Sequence, residues 1–424
     1  MGLPTLPGLL KSPTPRFPDS PTHKTPKTMR HVLRSTVMVL ACCALACSAA
    51  ELQPADAQVA EQLLPEQVER IEEAVRAVME EHKVTGLQVA VGLGEAVVWT
   101  EGFGMADLEH EVPVTRSTRF RTASISKWMT ATAAMKLVEA GTLDLDAPVQ
   151  QYCPAFPEKR WTVTTRYLLM HRAGVRHYWG ANNEPRTTPA HREALQRSRM
   201  EERQGMTSRY TDVIAPLDRF KNDTLLFEPG TQFRYTSHGY RLVGCVLQGA
   251  AGTPYRALMD DLIFEPAAMT HTRDDDAFAL IPERARGYTR TPGGELSRSR
   301  FRDVSENLPA GGHVSTAADL VRFALAFHND GLVSPESRAQ MTAPPPGAEQ
   351  EDAYYGFGVN VAKVPELGDD TVLNHSGGQD ETRTFLILYP QGRLAVATMT
   401  NYEPFGGNAQ RELVEQIFAI ILDP

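Results

Sequence analysis

Strand-like segments gather at the two ends of this chain, and that distribution constrains the fold more than any other feature. Near the start, Val68, Ile71, Val75 and Val78 recur at three- and four-residue spacing among Glu and Arg, which predicts an amphipathic helix running to about Lys83. Two short apolar stretches follow, Gln88–Leu93 and Ala96–Gly102, joined by Gly94-Glu95, a hairpin signal. Near the end, residues 359–364, 371–375, 382–388 and 394–400 read as strands, Pro390-Gln391-Gly392 turns the last pair, and a closing helix spans about 408–422. Strands from both ends bury their apolar faces together only in one shared sheet, so the expected class is α+β: an antiparallel sheet built from both chain ends and flanked by helices. Residues about 146–349, rich in helical pattern, Pro and charge, are then an inserted all-helical region, and about 61–145 with 350–424 form the α/β part. No internal repeat is visible.

Between the first strands and the inserted region lies Ser124-Ile125-Ser126-Lys127, the only S-x-x-K in the chain, opening a helix-like stretch from Trp128 to Ala140 that Gly141 terminates. Positions i and i+3 of a helix share a face, so this hydroxyl and this amine can meet. A hydroxyl beside a neutral amine is an activated nucleophile. Arg outnumbers Lys 34 to 9 here, and Arg cannot give up its proton, so the cation type that can act as a base stands where a base is needed. Taken alone the tetrad is better read as a surface Ser and Lys opening a helix, because two of its four positions are free.

Composition narrows the partners. Residues 1–47 carry six Lys or Arg against one Asp, leaving 37 basic and 51 acidic side chains beyond them, a balance that disfavours nucleic acid and anionic membranes. Residues 1–28 are Pro-, Thr- and Lys-rich and read as disordered or as a start-site artefact ahead of Met29. Arg30 and Arg34, the apolar run Val37–Cys47 and small residues through Ala50 form the pattern of a secretory signal peptide, too short to span a bilayer. Cys42, Cys43 and Cys47 admit a lipid anchor as the alternative to simple cleavage; the expected location is periplasmic or secreted either way. Residues 51–60 read as a tether and 61–424 as one catalytic domain. Beyond the leader only Cys153 and Cys245 remain, expected as separate buried thiols.

Several chemistries are excluded by what is missing. Ser237 lies in Tyr235-Thr236-Ser237-His238-Gly239, which is no G-x-S-x-G elbow; His110-Glu111 starts no H-E-x-x-H; and Gly102-Phe103-Gly104 lacks the third glycine of a dinucleotide loop and reads as a strand end. His171 and His177, either side of Gly174, read as local hydrogen-bonding residues. Two segments support the tetrad: Tyr235-Thr236-Ser237, after the turn Glu228-Pro229-Gly230, and His375-Ser376-Gly377-Gly378 on a C-terminal strand, where absent side chains let a substrate lie against backbone.

The order Ser-x-x-Lys, Tyr-x-Ser, His-Ser-Gly, with the flanks Phe120–Lys127, Glu139–Asp146, Leu168–Gly174 and Ala310–Thr316, resembles the serine β-lactamase and penicillin-binding superfamily, in its class C and D-Ala-D-Ala carboxypeptidase branch. The resemblance covers roughly 66–422, and Thr122–Gly180 is closest to the mitochondrial serine β-lactamase-like subgroup. It implies a β-lactamase/transpeptidase-like fold and an exported serine hydrolase working through an acyl-enzyme on a peptide, amide or ester bond of a small-molecule or peptide substrate. Ser124 is implied as nucleophile, Lys127 as base shared with Tyr235, the backbone N–H groups of Ser124 and Gly378 as the oxyanion hole, and Ser237, His375, Ser376 and Gly377 as substrate contacts. No metal or organic cofactor is implied, and oligomeric state is left open. His375 stands where many members have Lys and Ser237 where many have Asn. A titrating His375 is expected to bind an anionic substrate group. A penicillin-binding sensor that acylates without turnover, and a true class C-type β-lactamase, are the alternatives.

Overall fold

The computed structural model describes residues 62–178, 208–364 and 370–422, with single positions at 193, 196, 200 and 367. The leader and tether, 1–60, lie outside the described residues. In chain order, α1 (Pro65–His82) leads to β1 (Gly86–Leu93), β2 (Ala96–Asp107), β3 (Val112–Pro113), β4 (Phe120–Arg121) and α2 (Ser126–Glu139). The middle carries α3 (Thr165–Leu169), α4 (Ser237–Ala251), α5 (Tyr255–Met259), β5 (Arg273–Asp274), the hairpin β6 (Tyr288–Arg290) and β7 (Leu296–Arg298), α6 (Leu308–Gly311), β8 (His313–Ser315), α7 (Ala317–His328) and α8 (Pro335–Thr342). Then come β9 (Ala353–Tyr355), β10 (Asn360–Lys363), β11 (Thr371–Gln379), β12 (Thr382–Tyr389), β13 (Leu394–Thr400) and α9 (Asn408–Leu422).

Eight strands form one sheet in the order β3-β2-β1-β13-β12-β11-β10-β9, every pairing antiparallel, with β1 from the start of the chain lying against β13 from its end. This is the α+β arrangement the terminal strand patterns predict. Alternation assigns the two faces. Leu87, Val89, Val91, Phe385, Ile387 and Val396 pack with Ile71 and Val75 of α1 and Leu413, Ile417 and Phe418 of α9. Ala90, Leu386, Leu388, Ala397 and Met399 face the other way, into the larger core around α2 and α7. A Cβ on Gly92 would stand 2.4 Å from Val321 of α7, so the helix comes close because that side chain is missing. Strand β2 runs past Gly102 to Asp107, further than its apolar pattern indicates, and Gly104 turns with φ +71° within it. The inserted region is not all-helical as expected: among its helices it carries the β6–β7 hairpin and lends β5 and β8 to a small sheet with β4, pairings too short to leave an alternating pattern in the sequence.

Helix α2 is buried on nearly every side. Trp128 meets the rings of Phe323 and Phe327 edge-on at 5.5 and 5.3 Å. The helix ends at Glu139, and Gly141 takes the left-handed conformation that closes it, φ +71°.

The two late cysteines correct the sequence expectation. Cys153 and Cys245 form a disulfide, with their Cα atoms 5.6 Å apart. Their separation of 92 residues carries no signal of pairing, but the fold lays residues 149–153 directly on α4. A Cβ on Gly249 would fall 1.7 Å from the Tyr152 carbonyl oxygen, so a bare glycine on that helix face lets the loop descend to bonding distance of Cys245.

Candidate active site

The approach to Ser124 is fastened on two sides before any chemistry is considered. Strand β4 pairs with β8, and the Thr122 N–H donates to the His313 carbonyl at 2.9 Å. From the main sheet, Thr382 Oγ1 donates to the Arg121 carbonyl at 3.0 Å and Thr384 Oγ1 to the Thr122 carbonyl at 2.9 Å. The Arg121 guanidinium is buried between Asp275 at 2.6 Å and Glu381 at 3.1 Å. Held in this way, Ala123 adopts φ +44°, a conformation non-glycine residues seldom take, and a 3-10 turn over Ala123–Ile125 presents Ser124 at the mouth of α2.

Ser124 and Lys127 therefore meet across a turn-to-helix junction. Lys127 Nζ lies 3.0 Å from Ser124 Oγ and donates to the Ala310 carbonyl at 2.8 Å. Ser124 is 5% exposed and Lys127 fully buried. Burial first, then the Arg241 guanidinium, hold the Lys127 amine well below the usual lysine range, and no carboxylate among the described residues compensates a charge there. A neutral amine at this distance can accept the serine proton.

The Tyr235 hydroxyl oxygen is buried and interacts with Ser124, while its ring stands 4.9 Å from Lys127 Nζ. Burial pushes its ionisation well up, so it is a neutral donor at ordinary pH. Its position comes from the next two residues. The peptide N–H of Thr236 donates to His171 Nδ1 and that of Ser237 to His177 Nδ1, both at 3.1 Å, and Thr236 Oγ1 caps α4 by accepting from Gly239 N at 3.2 Å. His171 and His177 thus hydrogen-bond structurally, across 65 and 60 residues rather than locally. Burial, followed by the Lys127 charge, keeps both imidazoles below the usual histidine range. An Nδ1 that accepts leaves the proton on Nε2, so the contacts fix the tautomers.

On β11, His375 faces inward beside Tyr235 and Ser376 faces solvent. His375 Nδ1 lies 2.7 Å from the Ser376 carbonyl, which can only accept, so the ring proton is on Nδ1. Nε2 is then the acceptor for the Tyr355 hydroxyl at 3.0 Å. Burial, then the Lys127 charge, pull the imidazole down to about 3. The near-neutral titration expected from the sequence is moved well down by that burial and by the Lys127 charge, which outweigh the Ser376 hydrogen bond acting the other way.

The two glycines differ. A Cβ on Gly377 would meet Thr384 Oγ1 at 2.0 Å, the Thr122 carbonyl oxygen at 2.5 Å and Ala123 Cβ at 3.1 Å, so its bareness makes room for the Ser124 turn. A Cβ on Gly378 would meet only the Arg383 side chain, at 3.4 Å or more. Ser237 is buried, and its hydroxyl engages Tyr178. Sequence reading missed Ala310, Tyr355, Thr382 and Thr384; only Ala310, within a quoted flank, left a signal. Among the described residues no group of three or more His, Cys, Asp or Glu is arranged to hold a metal.

The β-lactamase family profile matches residues 71–418. The chain belongs to the β-lactamase family. The human mitochondrial serine β-lactamase-like protein LACTB is 30% identical over 408 residues, covering 80% of this chain and 74% of that one. A D-aminopeptidase of Gluconobacter oxydans (strain 621H) is 25% identical over 370 residues, covering 84% and 63%. The penicillin-binding protein of Bacillus halodurans shares the fold, with a TM-score of 0.67 at 24% identity over 82% of this chain and 98% of that one. The chain is a serine hydrolase of the β-lactamase and penicillin-binding type.

Proposed function

We propose that this hydrolase cleaves an uncharged peptide, amide or ester bond through an acyl-enzyme on Ser124. Ser124 Oγ attacks the carbonyl carbon as its proton passes to neutral Lys127; the C–O or C–N bond to the leaving group then breaks, and Tyr235 relays a proton to that group. Water adds to the acyl-enzyme by the reverse path and frees Ser124. The backbone N–H groups of Ser124 and Gly378 hold the oxyanion, with Ser237, Ser376 and Gly377 along the substrate. The observation that carries this reading is the buried Lys127 amine, 3.0 Å from Ser124 Oγ with its charge suppressed.

His375 supports the uncharged substrate class. Its ring has no free nitrogen to offer a carboxylate. A β-lactam's carboxylate would therefore go without a cation at this position. Loss of a charge-assisted contact costs about 2–3 kcal/mol, or roughly 30- to 150-fold in kcat/KM. The test compares p-nitrophenyl esters, D-amino peptides and a chromogenic cephalosporin on wild type and Ser124→Ala. Ester or peptide hydrolysis should exceed cephalosporin hydrolysis more than tenfold and vanish in the variant. Cephalosporin turnover within tenfold of the best ester would favour a working β-lactamase, and a burst without steady state would favour a sensor. We also propose that Arg30–Ala50 directs export, which N-terminal sequencing of the secreted protein tests.

A further inference from the structure

Beside the Ser124 turn stands a carboxamide with one end engaged. Asn307 Oδ1 accepts from Arg241 Nε at 3.2 Å and from the Tyr178 hydroxyl at 3.3 Å. A guanidinium only donates, so the atom facing Arg241 must be the oxygen, and the amide orientation is fixed. Arg241 is itself buried and paired with Glu306 at 2.8 Å, and Glu306 also receives Arg219 at 2.6 Å, so the oxygen's anchor is rigid. The other end, Nδ2, has no hydrogen-bond partner among the described residues, and Asn307 is half-buried.

Where Nδ2 lies follows from Gly311. A Cβ on that glycine would be 2.9 Å from Asn307 Nδ2 and 3.3 Å from the carbonyl carbon and oxygen of Ala123. The amide nitrogen and the peptide group that precedes Ser124 thus border the same space, the one a Gly311 side chain would fill. The adjacent segment is tied to the same place, since Ala310 accepts from Lys127. Tyr178, which grips the oxygen of Asn307, also engages Ser237 of the Tyr-x-Ser segment. Asn307 thus bridges two parts of the site and places its Nδ2 beside the turn that carries the nucleophile.

We infer that Asn307 is a substrate-positioning residue whose Nδ2 donates to the carbonyl of an acylamino group borne on the carbon next to the carbonyl that Ser124 attacks. An amide nitrogen can only donate, so its partner is an acceptor, and an uncharged one suits a site whose histidines are all held neutral. The acyl group remains bonded to Ser124 after the leaving group departs, so a donor beside Ser124's own turn reads that group. The inference rests on the acyl-enzyme reading above and deepens it: the substrate class narrows to N-acyl amino acid esters and peptides.

The experiment measures second-order labelling of the full chain by two fluorophosphonates, one alkyl and one carrying an acetamido group on the carbon next to phosphorus. Labelling needs acylation-type attack only, so turnover is not required. Wild type should prefer the acetamido reagent by on the order of tenfold, the worth of one good neutral hydrogen bond. Asn307→Ala and Asn307→Asp should both bring the ratio near one. The Asp variant is decisive, because it keeps an oxygen for Arg241 and Tyr178 while removing both N–H donors. If Asp keeps the wild-type preference, Asn307 merely holds its neighbours and the inference falls; it falls too if wild type shows no preference. If neither reagent labels wild type, the Ser124 hydrolase reading itself fails, and this inference with it.

Discussion

Gly377→Ala tests whether the β11 strand shapes the nucleophile or only the substrate cleft. Neither Gly377 nor Gly378 has a positive φ, so alanine is compatible with the backbone at both, and any difference between the two variants is steric. At Gly377 the new methyl lands 2.0 Å from Thr384 Oγ1 and 2.5 Å from the Thr122 carbonyl oxygen. The hydroxyl can rotate away, but only by abandoning its hydrogen bond to that same carbonyl. The carbonyl belongs to backbone and cannot move without carrying Ala123 and Ser124 along. Overpacking costs about 1–3 kcal/mol and a buried carbonyl robbed of its donor about 1–3 more. A displacement of the attacking atom on the order of 1 Å costs around a hundredfold in rate. Gly377→Ala should therefore lower the unfolding midpoint by several degrees and slow Ser124 labelling by on the order of 100-fold. In Gly378→Ala the methyl meets a flexible arginine at ordinary contact distance, and the unfolding midpoint should stay within about a degree. Equal midpoints and equal labelling rates for Gly377→Ala and wild type would refute the claim that Gly377 is bare on behalf of Ser124.

Three further outcomes are expected. With a neutral ester, kcat/KM should fall as pH drops through the depressed Lys127 pKa, at a pH well below that at which a free lysine protonates, because a protonated amine cannot accept the Ser124 proton; Lys127→Arg should lose at least about 100-fold throughout, and an active Arg variant would exclude the base role. KM should be flat from pH 5 to 8, since His375, pulled down to about 3, is neutral across that range; an inflection that disappears in His375→Gln would contradict the Tyr355 contact. Breaking the Cys153–Cys245 bridge should lower stability by about 2–5 kcal/mol, as expected for a cross-link spanning 92 residues, measured as a shift of the denaturation midpoint on Cys153→Ala/Cys245→Ala substitution; an unchanged midpoint would show the loop is held without it.

The sheet was legible because its strands obey a period of two and sit where apolar runs and turn residues mark them. Strands β10 to β13 and the final helix fall on the predicted stretches, with β11 running on to Gln379 through two glycines that carry no alternation. Ser124 and Lys127 were legible because their meeting is a local matter of three residues. The remaining geometry is long-range. Thr384 reaches Thr122 across 262 positions, Tyr355 reaches His375 from β9, beyond the intervening β10, and Lys127 reaches Ala310 across 183. No local spacing encodes such pairs. The disulfide failed for the same reason, and His375 failed for another: its residue type suggests a group titrating near neutrality, while its burial and the nearby Lys127 move that titration well down.

That last failure has a chemical consequence for the whole site. Lys127, His171, His177 and His375 all face one buried space, and each is a group that carries positive charge in water. Charging any one of them raises the cost of charging the others, since each lies within the field of Lys127 and no carboxylate is set among them. The cheapest solution is a site in which all four stay neutral, and the hydrogen bonds agree with it: three imidazoles accept at one nitrogen, from Thr236, Ser237 and Tyr355. The neutral histidines therefore do more than position backbone. With them neutral, the Arg241 guanidinium is the one cation among the causes acting on Lys127, and burial is the larger cause that keeps the amine neutral. A lysine in place of His375 would put an amine beside Tyr235 that a substrate carboxylate could hold charged, giving that carboxylate the partner it now lacks and pressing Lys127 lower still. His375→Lys should thus gain rate toward anionic substrates and lose none of the base's neutrality, and a loss of cephalosporin turnover in that variant would contradict this account of the site's charge.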